Sequence, residues 1–404
     1  MNEHAPKPQL PLHGIRVIAV EQYGAGPFGT MLLGDLGADV IKIENPKEGG
    51  DVSRTIGPFY LEEDNSHFYQ AFNRNKRSLT LNLKTEEGRE VLEALVATSD
   101  AVANNLRGDQ AERLRLTYDH LKNINPRIVC AHLSAYGREG KRKTWPGYDY
   151  LMQAEAGYLS LTGEPDGPPA RFGLSIVDMM TGLMAGFALV SALVGARTTG
   201  RGRDIDVNLF DVALHNLSYL AVWYLNCGQV QGREPRAAHP SLTPSQLYRT
   251  RDGWIFVMCN KEKFWPLLCE RIGCPELAED ARFCNFEMRL AHREELTELL
   301  DEKFQALDTN DWLERLSGAV PVAPVHDVAQ ALDNPFVREQ DRIATFQPRK
   351  GGVPLDMLSG PFRLSDIDLP TCAGPRLGED NDEILAELGY SSERMAMLRK
   401  DGVI

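Results

Sequence analysis

Residues 15–44 read IRVIAVEQYGAGPFGTMLLGDLGADVIKIE, and this stretch decides the fold class. Ile15–Glu21 is a run of apolar, mostly β-branched residues, which favours a buried strand. Gly24–Gly29 predicts a turn, Pro27–Leu36 a helix, and Asp39–Glu44 a second strand. A strand, a helix and a second strand at this spacing predict a parallel sheet covered by helices, and hence an α/β fold.

The same pattern continues towards the middle of the chain. Ser78–Leu83 alternates with period two, and Ala101–Ala103 and Ile128–Leu133 add two short apolar strands. Between the first two of these strands, Thr85 is placed to cap a helix that runs to about Ser99. These elements extend the same parallel sheet.

The second half begins with a long helix and then changes character. A helix is predicted over Ile176–Ala196, a strand over Asp204–Leu209 and an apolar helix over Asp211–Cys227. Residues 228–244 are rich in Gly, Pro and Arg, which predicts a linker. After it, the strand Trp254–Cys259 and several amphipathic helices indicate a smaller α+β domain.

The length of 404 residues is too great for one ordinary core, so we expect two domains. We assign residues 1–227 to the first part of a large domain and residues 245–333 to a small domain. Residues 334–404 then return to the large domain. The strand-like Phe362–Leu364 and a helix over Asp380–Leu388 support that return.

Composition excludes several classes of protein. The formal net charge of -13 argues against nucleic-acid binding, which needs a basic surface. No apolar run is long enough to span a bilayer, and the N-terminal MNEHAPKPQLPLHG lacks the layout of a signal peptide, so we expect a cytoplasmic protein. Seven cysteines without a CxxC pair predict reduced thiols and no metal site.

Three glycines after the first strand admit two interpretations. Gly24, Gly26 and Gly29 form GxGxxG, and Glu44 follows 20 residues after the first of them, as in nicotinamide dinucleotide sites. However, Pro27 removes one backbone donor from this motif. The other interpretation is a tight turn that packs a helix against a parallel sheet.

Eight segments carry a more specific signal: GAGPFGTMLLGDLGADVIKIENPKEGGDVSR (24–54), NRNKRSLTLNLKTEEGREVL (73–92), INPRIVCAHLSAYG (124–137), PGYDYLMQAEAG (146–157), IVDMMTG (176–182), TGRGRDIDVNLFD (199–211), PVAPVHDVAQALDNP (321–335) and LGEDNDEILAELG (377–389). In this order they resemble the class III CoA-transferases, the family of formyl-CoA transferase and carnitine CoA-transferase. The resemblance runs from about residue 12 to 390.

The resemblance implies a Rossmann-like large domain built from both chain ends and a smaller domain between them. It also implies that two chains interlock as a homodimer. The glycine turn would belong to a CoA-binding domain, with Gly24 and Ala25 contacting CoA. Acyl-CoA and a small carboxylic acid would be substrates, and no cofactor would be permanently bound.

Asp178 matches the catalytic aspartate of the family. The resemblance implies that its carboxylate attacks the thioester, forming an aspartyl-acyl anhydride and then an aspartyl-CoA thioester. Asp178 also begins the predicted helix, where we expect the helix dipole to keep it ionised. The alternative from the residues alone is that Asp178 only caps this helix.

Tyr148 bears on the choice between transfer and racemisation. An α-methylacyl-CoA racemase branch of the family carries His-Asp where this chain has Tyr148-Asp149. Proton abstraction next to the thioester needs a base such as His, whereas Tyr with a pKa near 10 is a poor base. The residue therefore favours transfer.

Residues for binding CoA also follow from the resemblance. Lys76 and Arg113 match positions near the phosphates, with a solvated surface charge as the alternative for each. Asn105 and Leu106 replace the common Asn-Phe, so the aromatic ring that would stack on adenine is missing. Asn45 stands where some members have arginine.

The acyl side is less specific. The formyl-CoA transferase branch has a glycine-run loop over the site, and this chain has none between residues 225 and 260. His239 lies in that region and is predicted either to line the acyl pocket or to be an ordinary surface histidine. We expect succinyl-CoA or a similar short dicarboxyl-CoA as donor and a dicarboxylic or hydroxy acid as acceptor.

Overall fold

The strand, helix and strand predicted over residues 15–44 lie at the centre of a six-stranded parallel sheet. Its strands are β1 (Arg16–Val20), β2 (Asp39–Glu44), β5 (Lys76–Thr80), β6 (Ala101–Asn104), β7 (Val129–Ser134) and β8 (Arg203–Asn208). In the computed structural model, which describes residues 9–404, their order is β5-β2-β1-β6-β7-β8 and every pair is parallel. The α/β prediction is confirmed.

Strand order reverses at β1, which places a ligand-binding crevice. The chain runs outward from β1 through β2 to β5 on one side, then returns to place β6 against the other side of β1. In open α/β sheets, ligands bind at the carboxyl ends of strands at such a switch point. The loops after β1 and β6 are therefore where a site is expected.

Alternating side chains of β1 build the core on both faces of the sheet. Ile18 and Val20 pack into one apolar cluster, and Val17 and Ala19 pack into another. This separation follows from the period-two geometry of a strand. Because apolar clusters pack against both faces of β1, the start of the loop that follows this strand is held in place.

The helices of the first half are α1 (Ala25–Asp35), α2 (His67–Asn73), α3 (Glu86–Ala97), α4 (Gln110–Arg113), α5 (Tyr118–Leu121), α6 (Asp149–Glu155), α7 (Ile176–Thr199), α8 (Leu209–His215) and α9 (Ser218–Cys227). The later helices are α10 (Phe264–Arg271), α11 (Phe286–Ala291), α12 (Arg293–Phe304), α13 (Thr309–Leu316), α14 (Val328–Leu332), α15 (Pro335–Glu339), α16 (Asn381–Glu387) and α17 (Ser392–Lys400). Within residues 9–404, three small sheets accompany the large one: β3 (Tyr60–Glu62) with β4 (Asn65–Ser66), β9 (Ser245–Arg249) with β10 (Trp254–Met258) and β11 (Val322–Pro324), and β12 (Ile343–Phe346) with β13 (Leu355–Leu358).

The chain divides into two compact units. The larger unit contains residues up to 156, residues 173–218 and residues 336–404. Both ends of the described chain therefore belong to it. The second contains residues 157–172 and 219–335 and has its own apolar core around Trp265 and Phe304. It begins before the predicted small domain (245–333) and takes in a segment that no sequence signal assigned to it.

Two predicted elements differ from the structure because of local backbone geometry. The helix predicted over Asp211–Cys227 is split into α8 and α9, since Ser218 adopts a left-handed φ of 51°. No strand forms at Phe362–Leu364, where Pro361 precedes the segment and lacks a donor for a ladder. The hairpin of β12 and β13 lies upstream instead.

Helix α7 is the one described helix that is long and apolar enough to cross a membrane by length and composition. Only 33% of its most apolar window is buried within the chain. From the sequence we expected no apolar run long enough to span a bilayer, and α7 differs from that expectation by length and composition alone. Residues 1–8 of the N-terminal stretch read for a signal peptide lie outside the described residues.

Candidate active site

Asp178 lies in the first turn of α7, beside the loop that follows β1. Helix α7 begins after Ser175, so Asp178 is its third residue and does not cap it. Its backbone N–H donates to Oδ2 of Asp149 at 2.9 Å, and only 8% of the residue is exposed. The side chain is therefore held at a helix start but is free of the capping role considered from the sequence.

Two cavities meet at this carboxylate. The first cavity has a volume of about 200 Å³ and is lined by residues that include Asn105, Arg107 and Trp145. The second cavity has a volume of about 210 Å³ and is lined mainly by aromatic side chains. Both are also lined by the same three residues, Tyr23, Gly24 and Asp178. A substrate with two unlike ends can therefore reach the carboxylate from both sides.

Burial and, to a smaller extent, the nearby Asp149 carboxylate together raise the pKa of the Asp178 carboxyl to about 7. This corrects the expectation that the helix dipole would keep Asp178 ionised. Desolvation disfavours the charged form more strongly than one helix start favours it. The ionised fraction near neutral pH remains substantial, and a poorly solvated carboxylate of raised pKa is a more basic nucleophile.

The glycines after β1 permit close packing around this carboxylate. A Cβ at Gly24 would lie 2.6 Å from Oδ2 of Asp178, and a Cβ at Gly29 would lie 2.6 Å from the carbonyl oxygen of Gly182. Helices α1 and α7 thus touch backbone to backbone. Gly24 and Gly29 therefore serve a contact between two helices, whereas the tight-turn interpretation expected a helix packed against the sheet.

Tyr23 holds an unusual backbone conformation between the two cavities. Its φ is 71°, in the left-handed region, where a residue other than glycine is strained. Its N–H donates to Oδ1 of Asp51 at 3.0 Å, and its ring packs against Phe68 at 5.3 Å. Strain that is held by such contacts is typical of functional sites.

A buried ionic cluster fixes this loop from behind. Lys42 Nζ lies 2.8 Å from Oδ2 of Asp51 and donates to the carbonyl oxygen of Glu21 at 3.0 Å. Although burial opposes ionisation, Lys42 keeps the pKa of Asp51 at about 2. The charged pair therefore anchors both ends of the segment that carries Tyr23.

Lys76 belongs to the same cluster and is not brought to either cavity. Its ammonium is fully buried and donates to Oε1 of Glu21 at 2.8 Å, to the Pro27 carbonyl and to the Asn73 side chain. Burial lowers its pKa to about 8. The prediction that Lys76 contacts a phosphate is therefore wrong, because all three N–H donors of its ammonium group are bonded inside the fold.

Asn105, Leu106 and Arg107 follow β6 and form one side of the first cavity. The side chain of Asn105 exchanges two hydrogen bonds with the backbone of Gln22, at 2.9 and 2.6 Å. Arg107 was not predicted from the sequence, although an arginine three residues after a strand at a switch point is a usable signal. It brings a cation into the cavity lining.

Arg113 lies near Arg107 without lining the cavity. Both guanidinium groups pair with Asp109, at 2.6 Å for Arg107 and 3.1 Å for Arg113. The side chain of Arg113 is 65% exposed. The structure thus brings the predicted arginine into a small basic cluster at the edge of the first cavity.

Two exposed aromatic residues complete the first cavity. Tyr148 is 62% exposed and its ring lies 6.3 Å from that of Tyr23. Trp145, which the sequence analysis missed, is 50% exposed and stacks with Arg142 at 4.8 Å. No histidine is among the described residues that line either cavity.

His239 lies in the second unit, so its place in an acyl pocket remains a prediction. Its Nδ1 accepts hydrogen bonds from the N–H groups of Ser241 and Leu242, both at 3.1 Å, and its ring stacks on Tyr219. Within residues 9–404, no three His, Cys, Asp or Glu side chains are arranged to hold a metal ion.

Comparison with known proteins decides the family. The family model described as "CoA-transferase family III" matches residues 12–381. The chain belongs to this family. The CoA-transferase is 33% identical to a succinate–glutarate CoA-transferase of Agrobacterium fabrum, over 95% of this chain and 97% of the relative. It is 32% identical to a human succinyl-CoA:glutarate CoA-transferase, over 98% and 90% of the two chains.

A solved structure agrees with this assignment. A CAIB/BAIF family protein from Brucella suis is 36% identical and superposes with a TM-score of 0.81, covering 94% of this chain and all of the other. The CoA-transferase therefore uses CoA thioesters as substrates. The nicotinamide interpretation of the three glycines gives way to this result.

Proposed function

We propose that this enzyme moves CoA between an acyl-CoA and a carboxylic acid through covalent intermediates on Asp178. The observation that carries the proposal is the position of the carboxylate, buried between two cavities that share it. A carboxylate that acts as a nucleophile divides one difficult exchange into easier steps. No metal or ATP is needed, because the thioester energy is conserved throughout.

The proposed exchange proceeds as a series of covalent steps on Asp178. An oxygen of Asp178 attacks the thioester carbon of the donor, CoA leaves as thiolate, and an aspartyl-acyl anhydride forms. The thiolate attacks the aspartyl carbonyl, which releases the donor acid and leaves an aspartyl-CoA thioester. The acceptor carboxylate then attacks that thioester, which expels CoA thiolate and forms a second aspartyl-acyl anhydride. The thiolate attacks the acceptor carbonyl of this anhydride, which gives the new acyl-CoA and releases the Asp178 carboxylate.

Backbone N–H groups at the start of α1 are placed to stabilise an oxyanion that forms during these steps. The first N–H groups of a helix have no partner within the helix, so the region of Gly24 and Ala25 offers donors to an oxyanion. The absence of a side chain at Gly24 lets this backbone approach Asp178 closely. This is the role that we propose for the two residues predicted to contact CoA.

The first cavity is proposed to take the CoA side of the substrate. Arg107 supplies a cation to a phosphate, and Arg113 adds a second one through the shared Asp109. Trp145 offers an exposed ring for stacking on the adenine. It would take the role of the aromatic residue that the family commonly has at the position of Leu106. Tyr148 lines the same cavity, with its ring 6.3 Å from that of Tyr23, and, as a poor base, supports transfer over racemisation.

We further propose succinyl-CoA or another short acyl-CoA as the donor. The support is that relatives covering nearly the whole chain are named for succinyl-CoA with glutarate, mesaconate or malate. These relatives have similar sequence identity to this chain, but their names give different second acids. The second acid is therefore better inferred from the lining of this chain's own cavities.

The chain is also proposed to form a homodimer, interlocked as in the family that it resembles. Leu183, Met184, Phe187 and Val194 are large apolar side chains of α7 that are between 41% and 71% exposed. Positions 183 and 187 are one helical turn apart, so they share a face. Light scattering on the intact protein and on Phe187→Glu tests this: a dimer that the variant weakens is expected, and an unchanged monomer contradicts it.

Exchange is tested by incubating the enzyme with succinyl-CoA and a panel of acids, with mass detection of new thioesters. We expect new acyl-CoA products that depend on Asp178 and are lost in Asp178→Ala. Asp166→Ala, which changes an exposed aspartate of the second unit, is the matched control. Retained turnover in Asp178→Ala would remove the covalent mechanism, and exchange of α-hydrogen for deuterium would favour a racemase.

A further inference from the structure

The second cavity differs in chemistry from the first, although both end at Asp178. Phe28 of α1 and Phe68 and Phe72 of α2 line it together with Tyr23, Tyr150 and Met179. The rings of Phe68 and Phe72 lie 5.2 Å apart, and those of Phe28 and Phe72 lie 6.3 Å apart. These half-buried rings form a continuous apolar wall.

Charge separates the two cavities. Among the described lining residues, the first cavity contains Arg107, whereas the second contains no Lys, Arg or His. A carboxylate placed against aromatic rings without a cation is strongly disfavoured, because it loses water and gains no partner. The phosphates and amides of CoA therefore belong in the first cavity, and an uncharged group belongs in the second.

Size narrows the kind of group that fits. The second cavity holds about 210 Å³. An engineered protein cavity of about 150 Å³ lined by apolar side chains binds benzene. The available space is therefore enough for a phenyl ring or a branched chain with a few carbons leading to the reacting carboxyl group. The two methylenes of a succinyl group would leave most of it unfilled.

We propose that the second cavity selects, as one of the two exchanged acids, a monocarboxylic acid with an apolar aromatic or branched body. This deepens the proposed function and rests on it, since the acid must reach Asp178. In the net reaction one thioester is broken and one is formed, with the acid released as its carboxylate. The dicarboxylic or hydroxy acid expected from the sequence finds no cation in this lining.

The test compares acids that differ in chain length and polarity, with acetyl-CoA as donor, because a succinyl group would bring its own free carboxylate into the second cavity. Straight-chain acids from propanoate to hexanoate, then 4-methylpentanoate, 3-phenylpropanoate and glutarate, are assayed for kcat/KM. We expect about a fourfold rise for each added methylene until the cavity is filled. We also expect 4-methylpentanoate and 3-phenylpropanoate to exceed glutarate by at least about tenfold.

Variants of the wall identify the cavity as the cause. Phe72→Ala is expected to lower kcat/KM for the apolar acids by at least about tenfold while changing propanoate little. Phe72→Arg, whose long side chain can reach water at the mouth, is expected to shift preference towards glutarate. Phe59→Ala, an exposed ring outside both linings, is the control.

The outcomes separate the two proposals. Exchange in which glutarate equals or exceeds the apolar acids overturns this inference and leaves the transfer mechanism intact. Equal loss for all acids in Phe72→Ala overturns it as well. If no acid accepts CoA and Asp178 is never modified, the proposed function fails, and the inference fails with it. If a variant does not fold, the acid series on the unaltered enzyme decides.

Discussion

Replacing Asp178 with Asn is expected to stabilise the folded protein at high pH while abolishing exchange. The carboxyl group has an ordinary pKa of 3.8. In the folded state, burial and the negative charge of Asp149 raise this pKa to about 7. The folded state therefore binds this proton more tightly than the unfolded state. The resulting stability is fully present below about pH 4 and is lost as pH rises through about 7.

The magnitude follows from the same two values. Moving the pKa from 3.8 to about 7 corresponds to at most about 4 kcal/mol between pH 4 and pH 8. Asn has the same shape but carries no charge, so Asp178→Asn removes the cost of ionising a buried group. The variant is expected to unfold like the original enzyme near pH 4 and to be more stable by up to that amount at pH 8.

Denaturant unfolding at several pH values between 4 and 8 measures this difference directly. Asp166→Asn, which changes an exposed aspartate, is the control and is expected to give no pH-dependent difference. A stability difference for Asp178→Asn that is the same at pH 4 and pH 8 would refute the raised pKa. It would also refute the burial argument from which that value is drawn.

The remaining predictions concern catalysis and the loop beneath it. Since Asp178 must be ionised to attack, kcat/KM should rise with pH and level off above about pH 7; a profile that falls over this range would contradict it. Gly24→Ala should displace the Asp178 carboxylate and lower kcat about a hundredfold, with little change in stability. In Gly29→Ala the added methyl group would meet the backbone of Gly182, so this variant should lower the free energy of unfolding by about 1–3 kcal/mol in denaturant unfolding. Arg107→Ala should raise the KM for acyl-CoA about tenfold to a hundredfold in steady-state assays and leave kcat nearly unchanged. Lys42→Met should leave buried carboxylates unpaired and lower the free energy of unfolding by about 3–5 kcal/mol; equal stability would show that the cluster is not needed.

Local sequence signals predicted the framework because their partners are close in the chain. Thr85 caps α3 as expected, accepting from the Gly88 N–H at 3.0 Å. The β-branched run that became β1 and the helix that became α1 were both predicted to within one or two residues of their observed ends. The break between α8 and α9 at Ser218 was not predictable, because a serine in the left-handed conformation has no sequence signature of its own.

Features that depend on distant partners were the ones that sequence reasoning missed. The pKa of Asp178 depends on Asp149, 29 residues away, and on burial that only the assembled fold creates. Lys76 was expected to contact phosphate, but Glu21, 55 residues earlier, pairs with it inside the core. The aromatic wall of the second cavity likewise joins α1 to α2, and no local pattern announces it.

Mass analysis of the peptide that contains Asp178, after brief exposure of the enzyme to succinyl-CoA, tests the covalent step most directly. The expected result is a CoA thioester or an anhydride adduct on Asp178 that hydroxylamine converts to a hydroxamate. The adduct should be absent from Asp178→Asn. Full exchange activity with Asp178 unmodified at every time point, or an adduct on a different side chain, would contradict the account.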